Sequence, residues 1–258
     1  MLNIVIPMAG HGSRFSRAGF TEPKPFIKLA GVPMIELVIR NLRPSRKHRF
    51  IFVCQQEHLT QFDFRQRLEA LAPGCKIVGL SQVTEGTACT VLQAAPWIDN
   101  DDPLMIANAD QWVNICIDDY LDYMDRCATD GMIMTMNAQD PKWSYVLLDQ
   151  HNRVCTVVEK EVVSEMATVG IYNFCHGKVF CRLARNMIAE NRRSQGEFYV
   201  APVYSDLYRE GRTDIGFYCI GKEGAGMHGL GTPDDMEAFL AHPILELALA
   251  DCSVEQLP

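Results

Sequence analysis

The run Gly10-His11-Gly12-Ser13-Arg14 and, ten residues after Arg14, a lysine held between two prolines (Pro23-Lys24-Pro25) bring main-chain amides and two cations together near the amino end. Glycines let a backbone approach a ligand closely, and loop amides can surround phosphate oxygens. Arg14 offers a planar fork and Lys24 a compact point charge, both suited to a polyphosphate tail. Pro23 and Pro25 stiffen the segment that aims Lys24. A third charged group, Asp110, closes Asn108-Ala109-Asp110 behind the apolar run Pro103 to Ala107. An acid therefore sits at the carboxyl end of a predicted strand.

The elements that must position these groups alternate. Residues 3 to 8, Phe50 to Cys54, Lys76 to Leu80 and Pro103 to Ala107 carry strand patterns. Helical spacing appears at Met34 to Leu42, His58 to Leu71, Ala88 to Ala95 and Tyr120 to Ala128, and alternation of this kind argues a parallel sheet. Gly131 to Met136 reads as a further strand, with Met132, Met134 and Met136 as core packing. Trp143 to Leu148 and Arg153 to Glu159 flank the turn 149–152 and predict an antiparallel hairpin. Thr168 to Phe174 continues the strand-rich region, helices follow at Lys178 to Asn191 and Val200 to Arg209, then a strand at Asp214 to Ile220 and a helix from about Pro233.

The chain of 258 residues is 48% hydrophobic with a net charge of -8, enough apolar content for a sizeable core and a surface that repels nucleic acid and anionic membrane. Its first residues, MLNIVIPMAG, read as a strand and not a signal peptide, and no apolar run reaches the roughly 18 residues of a spanning helix. Ten cysteines stand apart without a CxxC pair, which predicts a reduced, cytoplasmic protein. Cys175 and Cys181 flank His176, but no second tight pair completes a tetrahedral site, so buried thiols are expected.

A glycine-rich turn after a strand also occurs in dinucleotide sites, whose fingerprint places a third glycine three positions after the second and opens a helix at once. Here Phe15 stands in that position, and a long loop leading to Lys24 is expected. The Walker arrangement, with lysine directly after glycine, is absent.

With these residues the sequence resembles the sugar-phosphate nucleotidylyltransferases, relatives of glucose-1-phosphate thymidylyltransferase and phosphocholine cytidylyltransferase, over most of the chain. The family loop G-x-G-[S/T]-R and its P-K-P segment match Gly10, Gly12, Ser13, Arg14 and Pro23 to Pro25. The resemblance implies that Arg14 and Lys24 contact the nucleotide phosphates, with Met8, Ala9, His11 (through its backbone) and Ser13 around them. It matches Glu85-Gly86-Thr87-Ala88 to the turn before the base-binding helix, with Gln82 at a base edge and Asn108 beside the nucleotide. Asp110 takes the place of the metal-binding acid, where a hard carboxylate oxygen suits Mg²⁺. Val158-Glu159-Lys160, Val169-Gly170-Ile171-Tyr172 and Gly196-Glu197-Phe198-Tyr199 match segments that line the acceptor pocket. One departure stands out: His228-Gly229-Leu230-Gly231-Thr232-Pro233 resembles the family's D-x-G-T-P, but Gly229 occupies the position of a second metal-binding Asp. His228 is expected to approach the phosphates, and Asp206, Asp234 and Asp235 are carboxylates whose positions the sequence leaves open.

The implied fold is α/β, one Rossmann-like domain of the GT-A type over residues 1–258, with a central mixed, mainly parallel sheet flanked by helices. The implied activity is transfer of a nucleoside monophosphate, from CTP by preference or dTTP, to a sugar phosphate or other small phosphorylated metabolite, with release of pyrophosphate, in the supply of bacterial surface polysaccharide. A nucleoside triphosphate and a phosphorylated acceptor are the expected partners, nucleic acid and membrane are not, and a homo-oligomer is left open. Plainer roles compete at single positions: Asp110 or Glu197 capping a helix, Glu159-Lys160 as a solvated ion pair, His228 as a surface or satisfied side chain. The rival functions are a GT-A glycosyltransferase, which has no need of Arg14 and Lys24 on a triphosphate, and a non-catalytic nucleotide sensor. The enzymatic reading fails if Arg14 and Lys24 both point away from any cavity shared with Asp110.

Overall fold

The first strand, β1 (Leu2–Met8), is apolar on both faces, as a strand covered from both sides must be. Ile4, Ile6 and Met8 enter one buried cluster and Val5 another, the two-residue alternation of a pleated strand. In this computed structural model, which describes residues 1–253, the chain continues into the short helix α1 (Ser13–Arg17), a 3₁₀ turn at Lys24–Phe26 and the small hairpin β2 (Lys28–Leu29) and β3 (Val32–Pro33). The predicted helix α2 (Met34–Leu42) buries Ile35, Val38, Ile39 and Leu42 on the sheet. Its Met34 and Leu37 face a third cluster.

After β4 (His48–Gln55), the single helix expected over His58 to Leu71 is two, α3 (Gln56–Gln61) and α4 (Phe64–Leu71). The break at Asp63, with φ of 53°, has a packing reason. Phe62 and Phe64 both pack on the core, and two positions apart on one continuous helix they would face different directions. Phe64 lies 4.3 Å from the Phe26 ring, which ties α4 to the segment carrying Lys24. Next come β5 (Lys76–Leu80), α5 (Thr87–Leu92) and α6 (Ala95–Ile98). The helix expected to reach Ala95 stops at Leu92 because Pro96 suits only the first turn of a new helix.

The remaining elements are β6 (Leu104–Ala107), β7 (Gln111–Val113), α7 (Ile117–Cys127), β8 (Gly131–Asn137), β9 (Ser144–Leu148), β10 (Val154–Glu159), β11 (Met166–Phe174), α8 (Gly177–Ala189), α9 (Val203–Arg209), β12 (Ile215–Glu223), β13 (Gly226–Gly229), α10 (Pro233–Leu240) and α11 (Ile244–Ser253). The main sheet runs β5-β4-β1-β6-β11-β8-β12-β13-β7 and so draws on both halves of the sequence. From β5 to β6 it is wholly parallel; β11 lies antiparallel between β6 and β8, and the hairpin β9–β10 joins through β9. Helices cover both faces. β2, β3, β7 and β13, each of two to four residues, were not expected.

Met132, Met134 and Met136 are fully buried, as predicted. The described cysteines are free: Cys54 and Cys181 are buried and Cys175 half-buried, while Cys116, Cys127 and Cys219 are exposed. The Cys252 side chain lies outside the described residues. Among the described residues no helix is long and apolar enough to cross a membrane.

A polar tie secures the antiparallel core. The buried Tyr204 hydroxyl donates to Asn173 O at 2.7 Å, and its ring stacks on Phe174 at 4.6 Å. Tyr204→Phe keeps the ring and strands a buried carbonyl, so it should lower stability by about 1–2 kcal/mol in urea titration, with the fold intact by circular dichroism.

Candidate active site

Because β1, β5 and β6 run parallel, the loops after them emerge at one edge of the sheet, where open α/β sheets bind ligands. A cleft of about 380 Å³ opens there. Pro7, Met8, Ala9, Gly10 and Gly12 form one wall; Val83, Thr84, Gly86, Thr87 and Thr90 form another; Lys24, Pro25, Asn108, Ala109, Asp110 and Glu197 close it. Gly12 is left-handed at φ 60°, and a Cβ there would stand 3.2 Å from Lys24 Cβ, so the glycine lets the lysine segment lie against the loop. Gln55 Nε2 donates to Ala9 O at 3.0 Å and fixes the loop from beneath.

The Lys24 ammonium contacts the Asp110 carboxylate and donates to Gly231 O at 3.2 Å. Asp110 is also held through its main chain, since Leu230 N–H donates to Asp110 O at 2.8 Å. Asp110 caps no helix; a strand, β7, follows it. The carboxylate and the Gly231 carbonyl, on both of which a cation already lies, are hard oxygen donors of the kind that suits Mg²⁺. No group of three or more His, Cys, Asp or Glu that could hold a metal by itself occurs among the described residues. Phosphate oxygens of a bound nucleotide would therefore complete any shell at Asp110.

The opposite wall is built by a contact the sequence did not announce. Gly86, at φ 134°, lies so close to Phe198 that a Cβ would stand 2.5 Å from that residue's backbone nitrogen and oxygen. Phe198 N–H donates to Glu85 O and Ala88 N–H to Phe198 O, both at 2.9 Å. Arg193 contacts Glu85 and lies over the Phe198 ring at 4.2 Å. The Thr84 and Thr90 hydroxyls, 2.6 Å apart, tie down the loop itself.

A second cavity of about 190 Å³ shares Thr87 and Asn108 with the first. Lys142, Trp143, Ser144, Glu159, Thr168, Gly170, Tyr172 and Tyr199 line it. Glu159 accepts from Ser144 Oγ at 2.6 Å, and its burial raises the carboxyl pKa against the opposing Ser144 bond and Lys160 charge. Lys160 donates to Tyr199 Oη at 2.6 Å from a backbone at φ 57°, so Glu159 and Lys160 each have another partner rather than forming a simple solvated pair. The Trp143 indole N–H is buried with no partner among the described residues. Lys142, which bonds Glu223 at 2.7 Å, and Trp143 escaped the sequence reading; they lie between strands and carry no motif.

A profile of the nucleotidyl transferase family matches residues 4–216. The chain belongs to this family. The bifunctional protein GlmU of Methanococcus maripaludis is 25% identical over 178 residues, 66% of this chain and 39% of that protein. The GlmU of Methanocaldococcus jannaschii is 24% identical, over 81% of this chain and 47% of its own length. The chain thus spans less than half of the curated relatives it matches. A crystal structure of a nucleoside-diphosphate-sugar pyrophosphorylase from Vibrio cholerae is 25% identical, with a TM-score of 0.79 over 92% of this chain and 99% of that one. The inositol-1-phosphate CTP transferase of T. maritima shares the fold at 14% identity, with a TM-score of 0.70 over 99% of this chain and 97% of that one.

Within this nucleotidyl transferase fold the expected site residues divide. Met8, Ala9, Gly10, Gly12, Lys24, Gly86, Thr87, Asn108, Asp110 and Glu197 line the first cavity, and Glu159 and Gly170 the second. His11, Ser13, Arg14, Gln82 and Lys160 are exposed and line neither. A helix does open directly after the glycine loop, contrary to the expected long loop: α1 carries Ser13 and Arg14 outward while Phe15 is buried. Glu197 caps no helix, for α9 begins only at Val203.

His228 is the clearest correction. It is 5% exposed and packed at 5.8, 5.6 and 4.8 Å from the Trp112, Phe239 and His242 rings, on neither cavity. β13 hydrogen-bonds to β7 and places that side chain under α10, which no local pattern reveals.

Two outcomes follow from these placements. Gly86→Ala should lower stability by about 1–3 kcal/mol in urea titration, because the new Cβ meets the Phe198 backbone at a left-handed φ. Burial and His242 lower the His228 pKa to about 4 from the usual 6.5. The unfolded chain therefore takes up this proton first, and stability present above pH 6.5 is lost as pH falls toward 4. Between pH 7 and 5 this residue should account for about 2 kcal/mol of that fall, which urea titrations of His228→Gln should lack.

Proposed function

We propose that this chain transfers a nucleoside monophosphate from a nucleoside triphosphate to a small phosphorylated acceptor and releases pyrophosphate. The observation that carries the reading is a pair of cavities joined at Thr87 and Asn108, one headed by Lys24 and Asp110 and the other by Glu159 and Tyr172. Two substrates fit side by side, with the transferring phosphorus between them.

The acceptor's phosphate oxygen attacks the α-phosphorus in line with departing pyrophosphate, and no protein nucleophile is needed. A phosphate monoester is already anionic near neutrality, so the site must hold two anions together and stabilise the charge that gathers between them. The amides of Gly10 and Gly12 and the Lys24 ammonium receive the triphosphate tail, with Arg14, His11 and Ser13 at its outer end. Asp110 holds the Mg²⁺, which when bound neutralises phosphate charge. The base lies against Gly86, with Val83 and Thr84 beside it and Gln82 at the rim. Lys160 and Lys142 flank the acceptor phosphate, while Glu159 and Gly170 meet the rest of the acceptor; Glu197, expected with them, lines the first cavity instead.

CTP is the favoured nucleotide and dTTP the alternative. A sugar phosphate is the favoured acceptor, supported by the Vibrio cholerae pyrophosphorylase at 25% identity. The product then serves as an activated precursor for bacterial surface polysaccharide, made in the cytoplasm.

A matrix of CTP, dTTP, UTP, ATP and GTP against sugar and non-sugar phosphates, read by pyrophosphate release, tests the reading. Lys24→Ala should lose at least about a hundredfold in turnover while remaining folded, the scale of removing one positioned charge at a transition state. Near-normal pyrophosphate release by that variant would refute the assignment, and release of free nucleoside diphosphate from a nucleotide-sugar would point to glycosyl transfer.

A further inference from the structure

The segment 229–233 places glycine where the resemblance calls for a second acid, yet the structure puts a carboxylate in front of that position. Built onto Gly229, a Cβ would stand 3.6 Å from Asp235 Cγ and 3.7 Å from its Oδ2, in ordinary contact. Built onto Gly231, it would stand 3.2 Å from Asp110 Oδ2 and 3.7 Å from Asp235 Oδ2. Both carboxylates thus border the Gly231 backbone, where the Lys24 ammonium lies on Asp110 and on Gly231 O and not on Asp235.

We propose that Asp235 supplies the second carboxylate of the metal site at Asp110, taking over from helix α10 the task of the acid missing at position 229. The inference rests on the reading that Asp110 holds a divalent cation. Mg²⁺ commonly takes one or two carboxylates, keeps several waters and completes its shell with substrate phosphates. Asp235 acts here directly or across one coordinated water.

The other carboxylates that the sequence left open are otherwise placed. Asp206 is buried and bound by Arg192 at 2.7 Å and Arg209 at 2.9 Å. Asp234 is exposed. Asp235 has no side-chain hydrogen bond or ion pair among those described, although Lys142 feels its charge from the acceptor side. The Thr232 hydroxyl accepts from Asp235 N–H at 3.1 Å and caps α10, which fixes where the carboxylate emerges. Lys24 is the cation on Asp110 in this structure, and with Mg²⁺ held by the two carboxylates its ammonium would be free to bind phosphate oxygens.

An acid in the first turn of a helix also favours the helix dipole, so the test must separate metal binding from stability. Mn²⁺ binding is measured by electron paramagnetic resonance on the full chain, alone and with the α,β-methylene analogues of CTP and dTTP, together with thermal melting. Asp235→Asn should weaken Mn²⁺ binding about tenfold to a hundredfold, the range over which supporting groups tune metal affinity, with melting nearly unchanged. Asp234→Asn should leave it unaltered. Gly229→Asp added to Asp235→Asn should restore binding, since the geometry leaves room for the side chain there. Lys24→Met should tighten binding of Mn²⁺ alone, because the competing ammonium is gone. Wild-type Mn²⁺ affinity in Asp235→Asn, or no restoration by Gly229→Asp in a folded double variant, overturns the proposal. Failure of Asp110→Asn to weaken Mn²⁺ binding instead overturns the metal reading beneath it.

Discussion

The contact between Lys24 and Asp110 joins segments that the sequence keeps far apart. The lysine follows β1, the acid follows β6, and beyond β13 the lysine donates to Gly231 O while Leu230 N–H donates to Asp110 O. With side-chain exposures of 20% and 32%, the pair is too wet to stabilise the fold strongly, and an ion pair of this kind is worth about 1 kcal/mol or less. Its importance is positional. It sets one cation and one anion at the sheet edge where three loops meet, and the surrounding contacts, from Gln55 on Ala9 to Leu230 on Asp110, hold that meeting point in place.

The same constraint explains what the rest of the sheet is for. Parallel strands deliver their loops to one edge, so β1, β5 and β6 supply the first cavity without long connections. The antiparallel strand β11 then carries Gly170 and Tyr172 beside Asn108, whose N–H donates to Gly170 O at 3.1 Å. The hairpin β9–β10 adds Ser144 and Glu159 behind them. A change of strand direction at one place in the sheet thus converts a single cleft into a two-chambered one.

Sequence alone made legible the features that depend on local patterns. β1, β4, β5, β6, β8 and β11 follow from apolar runs bounded by turn residues. Gly12, Lys24, Gly86 and Asp110 follow from motifs in which backbone freedom or charge is needed at a defined place. The features it concealed depend on distant partners. β7 and β13 are three and four residues long and, unlike β6, carry no continuous apolar run, so they were invisible, and with them the burial of His228 beneath α10. The break between α3 and α4 is set by Phe62 and Phe64 competing for one core. Lys142 and Trp143 line the second chamber only because β9 pairs with β11. Arg14 belongs to the family loop, but α1 turns its side chain outside the cleft lining.

Thr87 and Asn108 belong to both chambers. A substitution on either residue reshapes both compartments at once, so a lineage cannot use those positions to alter what one chamber admits while sparing the other. Drift confined to the second chamber must proceed through its far side, at Trp143, Ser144 or Tyr199, where no surface is held in common.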